Sequence, residues 1–282
     1  MNGLINLYKP SGMSSAAAVS KVKRILGEKK VGHMGTLDPM AEGVLVIGVG
    51  KSARLFDYIS GRQKTYVAKM KFGYETDTLD ALGATVAETY DIPSVDAALN
   101  ALTSLVGEIE QIPPAYSAKH VDGRRAYDLA RHGKEIELEP VCVTIYNAEL
   151  ICQPRMDELV FTVTCSSGTY VRSIVRDVAR MCGSLATLTY LQRTRSGCFD
   201  VKDSVSLDNL ATVKSGALIS PEKALELPRY DVGARFYDDM LHGRKVRFEE
   251  GGERLIYCNG VFFGIGRSED GTLDLKTYLK DD

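Results

Sequence analysis

The stretch from Val31 to Gly50, VGHMGTLDPMAEGVLVIGVG, constrains the fold of this chain more than any other. Its apolar run, Val44 to Ile47, lies between glycines, and a run bounded in that way reads as a fully buried strand. The segment ahead of it is then a loop held at the end of that strand. Asp38, pinned ahead of Pro39, is the carboxylate on this loop, and carboxylates on loops braced by rigid elements are candidates for function. The same residues also describe a short helical turn, with Asp38 as N-cap, Pro39 at the first helical position and Gly43 just past the end. A cap and a chemical role are compatible.

Length and composition narrow the function classes. The 282 residues suffice for one large domain and a small one. No run of eighteen apolar residues is present, so no membrane span is expected, and the N-terminus lacks the pattern of a secretory signal. Six cysteines (Cys142, Cys152, Cys165, Cys182, Cys198, Cys258) and four histidines (His33, His120, His132, His242) are scattered, with no C-x-x-C and no H-E-x-x-H. That spacing suggests neither a disulfide framework nor a zinc site, and a reduced cytoplasmic setting fits it best.

A net charge of -2 hides an asymmetry. Residues 1 to 71 hold twelve Lys or Arg against four acids, whereas Phe72 to Ala118 hold eight acids and no Lys or Arg. Such a chain can present a basic face to a polyanion, unless folding interleaves the two segments. Ser14 or Ser15 can cap a helix from Ala16 to Leu26, with Val19, Val22, Ile25 and Leu26 on one face and Gly27 as its stop. Lys21 and Arg24 lie on the other face with Lys23 beside them, and Lys29, Lys30 and His33 carry the charge toward Asp38. That favours contact with a phosphate backbone.

Gly48 to Ala53 matches G-x-G-x-x-[GA] after a strand, so it is a dinucleotide-binding candidate. Two features count against an oxidoreductase of that kind. The next strand, Lys64 to Phe72, alternates Tyr66, Ala68, Met70 and Phe72 with Lys69 and Lys71, which describes a half-exposed antiparallel strand. No acid ends it where a ribose would need one. Gly50-Lys51-Ser52 also fails as a P-loop, because position 45 is Leu45.

Further on, Thr76 to Gly83 reads as a polar turn, and Ser94 to Leu105 as a helix with Ala97, Ala98, Leu102 and Leu105 inward. Pro113-Pro114 excludes a helix from Gln111 to Lys119. Asp122-Gly123 turns the chain into a short helix, Arg124 to Arg131, whose Arg124, Arg125, Arg131 and Tyr127 suit unstacked RNA. Glu158 to Cys165 alternates as a strand and hands over to a helix ending near Gly183. Arg172 lies in the first turn of that helix, where the dipole disfavours a cation, so an acidic partner is expected. Thr187 to Gln192 reads as a strand with Leu191 inward. From about Leu227 the texture changes to short strands, Arg244 to Phe248, Leu255 to Tyr257, Val261 to Gly266 and Thr272 to Tyr278, separated by hairpin signals.

Six blocks, taken in order, resemble the TruB family of bacterial tRNA pseudouridine synthases: Lys9-Pro10-Ser-Gly-Met-Ser-Ser, Gly32-His-Met-Gly-Thr-Leu-Asp38-Pro-Met-Ala-Glu-Gly-Val, Lys64-Thr-Tyr66, Thr76-Asp-Thr-Leu-Asp-Ala-Leu-Gly83, Pro113-Pro-Ala-Tyr-Ser-Ala and Ser166-Ser-Gly-Thr-Tyr170-Val-Arg172-Ser-Ile. They cover roughly residues 3 to 200. The resemblance implies an α+β pseudouridine-synthase fold, with a mixed, largely antiparallel central sheet flanked by helices. A catalytic domain over residues 1–227, with an RNA-contacting excursion at about 113–138, would precede a small C-terminal β domain over 228–282, like a trimmed PUA domain. It implies an isomerase converting the T-loop uridine of tRNA to pseudouridine, as a monomer with no cofactor, metal or membrane partner. By similarity Asp38 is the essential carboxylate, Arg172 its ion-pair partner, and Tyr66 the ring that stacks on the target uracil. Leu191 walls the pocket, His33 fills the space left by flipped bases, and Tyr170 joins them in binding substrate. Lys9, Lys21, Lys23, Arg24 and the excursion from Arg124 make phosphate contacts.

Overall fold

In a computed structural model, which describes residues 1–60, 62–117, 120–121, 124–125, 138–249 and 251–280, the apolar run after Asp38 is an inner strand of a mixed sheet. The principal elements are β1 (Gly3–Lys9), α1 (Ser15–Leu26), β2 (Glu42–Val49), β3 (Lys64–Phe72), α2 (Val95–Ser104), β4 (Gly107–Gln111), β5 (Val141–Arg155), β6 (Glu158–Cys165), α3 (Val171–Met181) and β7 (Ala186–Ser196). Their order across the sheet is β1-β2-β7-β3-β6-β5-β4. One neighbouring pair, β7 with β2, is parallel, through Gln192 opposite Glu42 and Arg193 opposite Gly43. The other ladders of this sheet are antiparallel, including both that flank β3.

The unbroken apolar character of β2 has a two-sided cause. Leu45 and Ile47 face a core shared with Val19 and Val22 of α1, Leu102 of α2 and Ile174 and Val178 of α3. Val44 and Val46 face the opposite way, against Leu255, Tyr257 and Ile265 of a second sheet and Leu279 just past its last strand. That sheet contains β8 (Arg229–Asp231), β9 (Arg254–Cys258), β10 (Val261–Glu269) and β11 (Thr272–Tyr278), in chain order. Its far side has a small core of its own around Phe248, Ile256 and Phe263. Strand β3, by contrast, is buried only at alternate residues, as its pattern requires.

Local signals explain the ends of the elements. Ser14 accepts from Ala17 N to cap α1, and Gly27 closes it at φ 65°, a left-handed conformation that glycine adopts without steric cost. The glycines of the dinucleotide-like stretch are packing glycines. A Cβ on Gly48 would collide with Met34, and one on Gly50 with Met1 and Asn2, while Lys51 Nζ donates to Lys280 O at 2.7 Å.

Four local expectations are corrected. Asp38 to Gly43 is not a helical turn; one bond, Ala41 N to Asp38 O at 3.1 Å, is all that remains of it. Ala97 is exposed and Ala101 takes its inward place, because α2 turns Ala98, Ala101 and Leu102 to the core. Arg244–Phe248 keeps only the bridge of Arg247 to Thr272, since β9 pairs instead with the parallel strand β8. Arg124–Arg125 pairs as a strand with His120–Val121. The rest of the expected Arg124 to Arg131 helix and the side chains of Arg124, Arg125, Tyr127 and Arg131 lie outside the described residues, as does the Asp122-Gly123 turn. No helix among the described residues is long and apolar enough to cross a membrane.

Ile47 is fully buried at the centre of this arrangement. Ile47→Ala should lower unfolding free energy by about 2–5 kcal/mol in urea titration; a loss below about 1 kcal/mol would contradict the packing described.

Candidate active site

The loop between the short strand Val31–His33 and β2 is fastened by its carbonyls. Thr36 O accepts from Arg193 Nη1 at 3.0 Å, Leu37 O from Ser15 Oγ at 2.9 Å, Asp38 O from Ala41 N at 3.1 Å, Pro39 O from Gly12 N at 2.8 Å, and Met40 O from Ser11 Oγ at 2.8 Å. Five consecutive carbonyls are thus engaged, four of them by side chains once Lys9 is included. Beneath them Lys9 is fully buried, its Nζ donating to Met13 O at 2.6 Å, Pro10 O at 2.9 Å and Pro39 O at 3.5 Å. The Lys9-Pro10-Ser11-Gly12 block is therefore the floor of the loop. This corrects the expectation that Lys9 meets phosphate: its ammonium is spent on carbonyls, and burial lowers its pKa to about 8.

On this support Asp38 keeps its side chain 31% exposed and turns it to Arg172, which is 5% exposed. Arg172 Nη2 donates to Oδ1 at 3.1 Å, and Nε lies 2.8 Å from Oδ2 without aiming its hydrogen at that oxygen. The acidic partner expected from the helix dipole is present. Arg172 is gripped from the other side by Thr78 O at 3.0 Å and faces Asp80 Oδ2 at 3.8 Å. Asp80 is itself fixed by Thr78 Oγ1 and Leu82 N, so the Thr76 to Gly83 block is a turn that braces the arginine.

Tyr66 and Leu191 come from the neighbouring strands β3 and β7 and lie in the same buried cluster as Leu37, Met40 and Ala41 of the loop. Desolvation raises the Tyr66 pKa, which keeps it a neutral phenol, while Arg193 opposes that rise. Tyr170 is half-buried at the N-cap of α3, its backbone N and O both bonded to Gln111, and both Arg172 and Asp38 act on its phenol. His33 is half-buried where the loop leaves its first strand. Lys21, Lys23 and Arg24 are exposed on α1. Arg124 offers no described side chain.

Three charged residues of this region have no site role in the sequence reading. Arg193 is 1% exposed and donates from Nε to Val44 O at 2.7 Å. Continuing the alternation of β7 one step beyond Gln192 places it on the face of Leu191, and that signal was available. Lys64 is buried at the start of β3, and burial lowers its pKa to about 8. Glu42 ties the outer face together, accepting from Tyr190 Oη at 2.7 Å and Gln192 Nε2 at 3.4 Å; it stands in the block from Gly32 to Val44, which by itself assigns it no partner.

The fold that carries this site has counterparts among solved structures. The chain matches one chain of a Cbf5–Nop10–Gar1 complex with a TM-score of 0.73 and 24% identity, over 99% of this chain and 85% of that one. It matches a chain of an H/ACA RNP bound to a substrate RNA containing 2′-deoxyuridine at 0.71 and 22%, over 99% and 85%. The fold is the pseudouridine-synthase fold. In sequence, the model for the TruB family pseudouridylate synthase N-terminal domain matches residues 23–171. The tRNA pseudouridine synthase B of Clostridium perfringens is 37% identical over 99% of both chains, and that of Aquifex aeolicus 38% identical over 99% of this chain and 100% of its own. That of Symbiobacterium thermophilum is 44% identical over 86% and 82%. The chain belongs to the TruB family of pseudouridylate synthases and is an enzyme of that class.

The buried lysine gives the loop a pH signature. Lys9 titrates near 8 when folded and near its ordinary 10.5 when unfolded, so between those values the unfolded chain binds more protons. Stability contributed by this group therefore rises with pH across that window. The stability of wild type relative to Lys9→Met should accordingly increase from about pH 7.5 to about pH 10 in denaturant titrations. A difference that is flat or falling would contradict burial of the ammonium.

Proposed function

We propose that the enzyme acts on tRNA and isomerises the T-loop uridine, with Asp38 as the essential carboxylate. The observation that carries this reading is Asp38 itself: a half-exposed acid on an immobilised loop, oriented by a buried arginine and bordered by a neutral tyrosine and an apolar wall. Relatives over nearly the whole chain bear the name tRNA pseudouridine synthase B, which supports tRNA as the substrate.

The reaction breaks the N1–C1′ bond, turns the uracil and joins C5 to C1′; N1 gains a proton and C5 loses one. No electrons are exchanged with a co-reactant. A carboxylate placed against base and sugar, where water is largely excluded, is what such a step requires. Arg172 fixes the direction of the Asp38 oxygens through two nitrogen contacts. The Tyr66 ring supports the face of the uracil, and Leu191 closes the side of the pocket. A stacked T-loop uridine reaches Asp38 only by flipping out of the loop, and His33 occupies the room the displaced bases leave. Exposed Lys21, Lys23 and Arg24 meet phosphates, and the sheet after residue 228 serves as the small RNA-binding domain.

The test is tritium release from C5-labelled uridine in an unmodified tRNA transcript. Wild type should release tritium in step with pseudouridine formation. Asp38→Asn should bind the same RNA and release it on the order of 10³-fold more slowly or not at all. Binding without release by wild type would reduce the chain to an RNA-binding module, and release by Asp38→Asn at the wild-type rate would remove Asp38 from the chemistry.

A further inference from the structure

Arg193 stands at the junction of three parts of the site. It pairs in register with Gly43 of β2 on one side and with Tyr66 of β3 on the other. A Cβ on Gly43 would collide with the Arg193 carbonyl, so the two backbones meet as closely as glycine permits. The guanidinium donates from Nε to Val44 O at 2.7 Å and from Nη1 to Thr36 O at 3.0 Å, and Tyr66 is the residue opposite it on β3. Among the described residues no carboxylate forms an ion pair with it. A guanidinium buried without a counter-ion is costly, and bracing two carbonyls does not need a full charge. The same surroundings lower Lys9 on β1 and Lys64 on β3 to about 8, whereas a guanidinium keeps its charge. Cys165 on β6 and Asp38 complete the titratable groups around this part of the pocket.

We propose that Arg193 is a positioning residue, one that locks Tyr66 to the Asp38 loop and turns the phenolic O–H toward the base. A phenol oxygen donates once and accepts through its lone pairs. A guanidinium N–H left over from the two carbonyls and given to that oxygen would send the phenol's own hydrogen away from Arg193, toward Leu191 and Asp38. The same planar group holds Thr36 O, two residues before Asp38, so the ring and the carboxylate keep one spacing. The inference rests on the assignment of Asp38 and Tyr66 to the reaction.

Single-turnover isomerisation and RNA binding are measured for wild type, Arg193→Lys, Tyr66→Phe and the double variant. Lysine retains a cation but loses the fork that reaches Val44 O, Thr36 O and Tyr66 together. Arg193→Lys should slow turnover by about 10-fold or more while RNA affinity stays within about twofold. In the Tyr66→Phe background the same change should cost clearly less than in wild type, because the part of the loss that runs through the phenol is already gone and only the loosened loop remains. Independent, multiplying losses, or an effect confined to affinity, would overturn the proposal. A second measurement needs only the isosteric Tyr66→Phe protein: its Arg193 side-chain ¹⁵N resonances should shift from their wild-type positions, and unchanged resonances would overturn the linkage. Wild type that binds tRNA without isomerising it would fail the functional reading alone, with the resonance comparison still deciding the Arg193–Tyr66 link.

Discussion

The engagement of five successive carbonyls, Thr36 to Met40, is the constraint on which the rest of the site depends. A loop of this length with unsatisfied carbonyls would have to face water, and its carboxylate would sample many directions. Here Ser11, Gly12 and Ser15 from the segment after β1, together with Arg193 from β7, remove that freedom. The loop is thereby joined to both strands that neighbour β2. Its stiffness comes from the mixed sheet, whose strand β2 is packed between helices on one face and the second sheet on the other.

The charges follow from that geometry. Arg172 is drawn to Asp38 and Asp80 at once, so neither acid alone accounts for its burial. Lys9, Lys64 and Arg193 add three more cations with less than a tenth of their surface exposed. Such a concentration is unfavourable for folding by itself, because desolvating each cation costs several kcal/mol before any pairing. It gathers positive charge around one half-exposed carboxylate, a setting suited to a polyanionic substrate. The raised pKa of Tyr66 belongs to the same balance: burial keeps the phenol protonated and Arg193 limits the shift.

Much of this was legible in the residues. The buried strand, the capped helix α1 and the alternation of β3 each followed from a local pattern that agrees with its tertiary surroundings. The need of Arg172 for an acid followed from its place in a first helical turn. The role of Lys9 was not legible, because a lysine before Pro-Ser-Gly carries no local mark of burial, and its carbonyl partners come from three separate positions. Arg193 was missed where the strand reading stopped one residue short, although the period of two already put it inward. The second sheet differed in its pairing because β8 is three residues long and parallel, a partner that hairpin signals cannot announce.

The central claim is that orientation of Asp38 by a planar guanidinium makes the site competent. Replacing Arg172 by lysine keeps a cation near Asp38 and removes the simultaneous reach to both Asp38 oxygens and to Thr78 O. The most direct measurement is the single-turnover rate of pseudouridine formation by Arg172→Lys with saturating tRNA, beside the dissociation constant of the same complex. Loss of the planar fork should lower the rate by about 10²-fold or more with binding nearly unchanged. A near-normal rate would show that charge alone suffices, and would contradict the central claim.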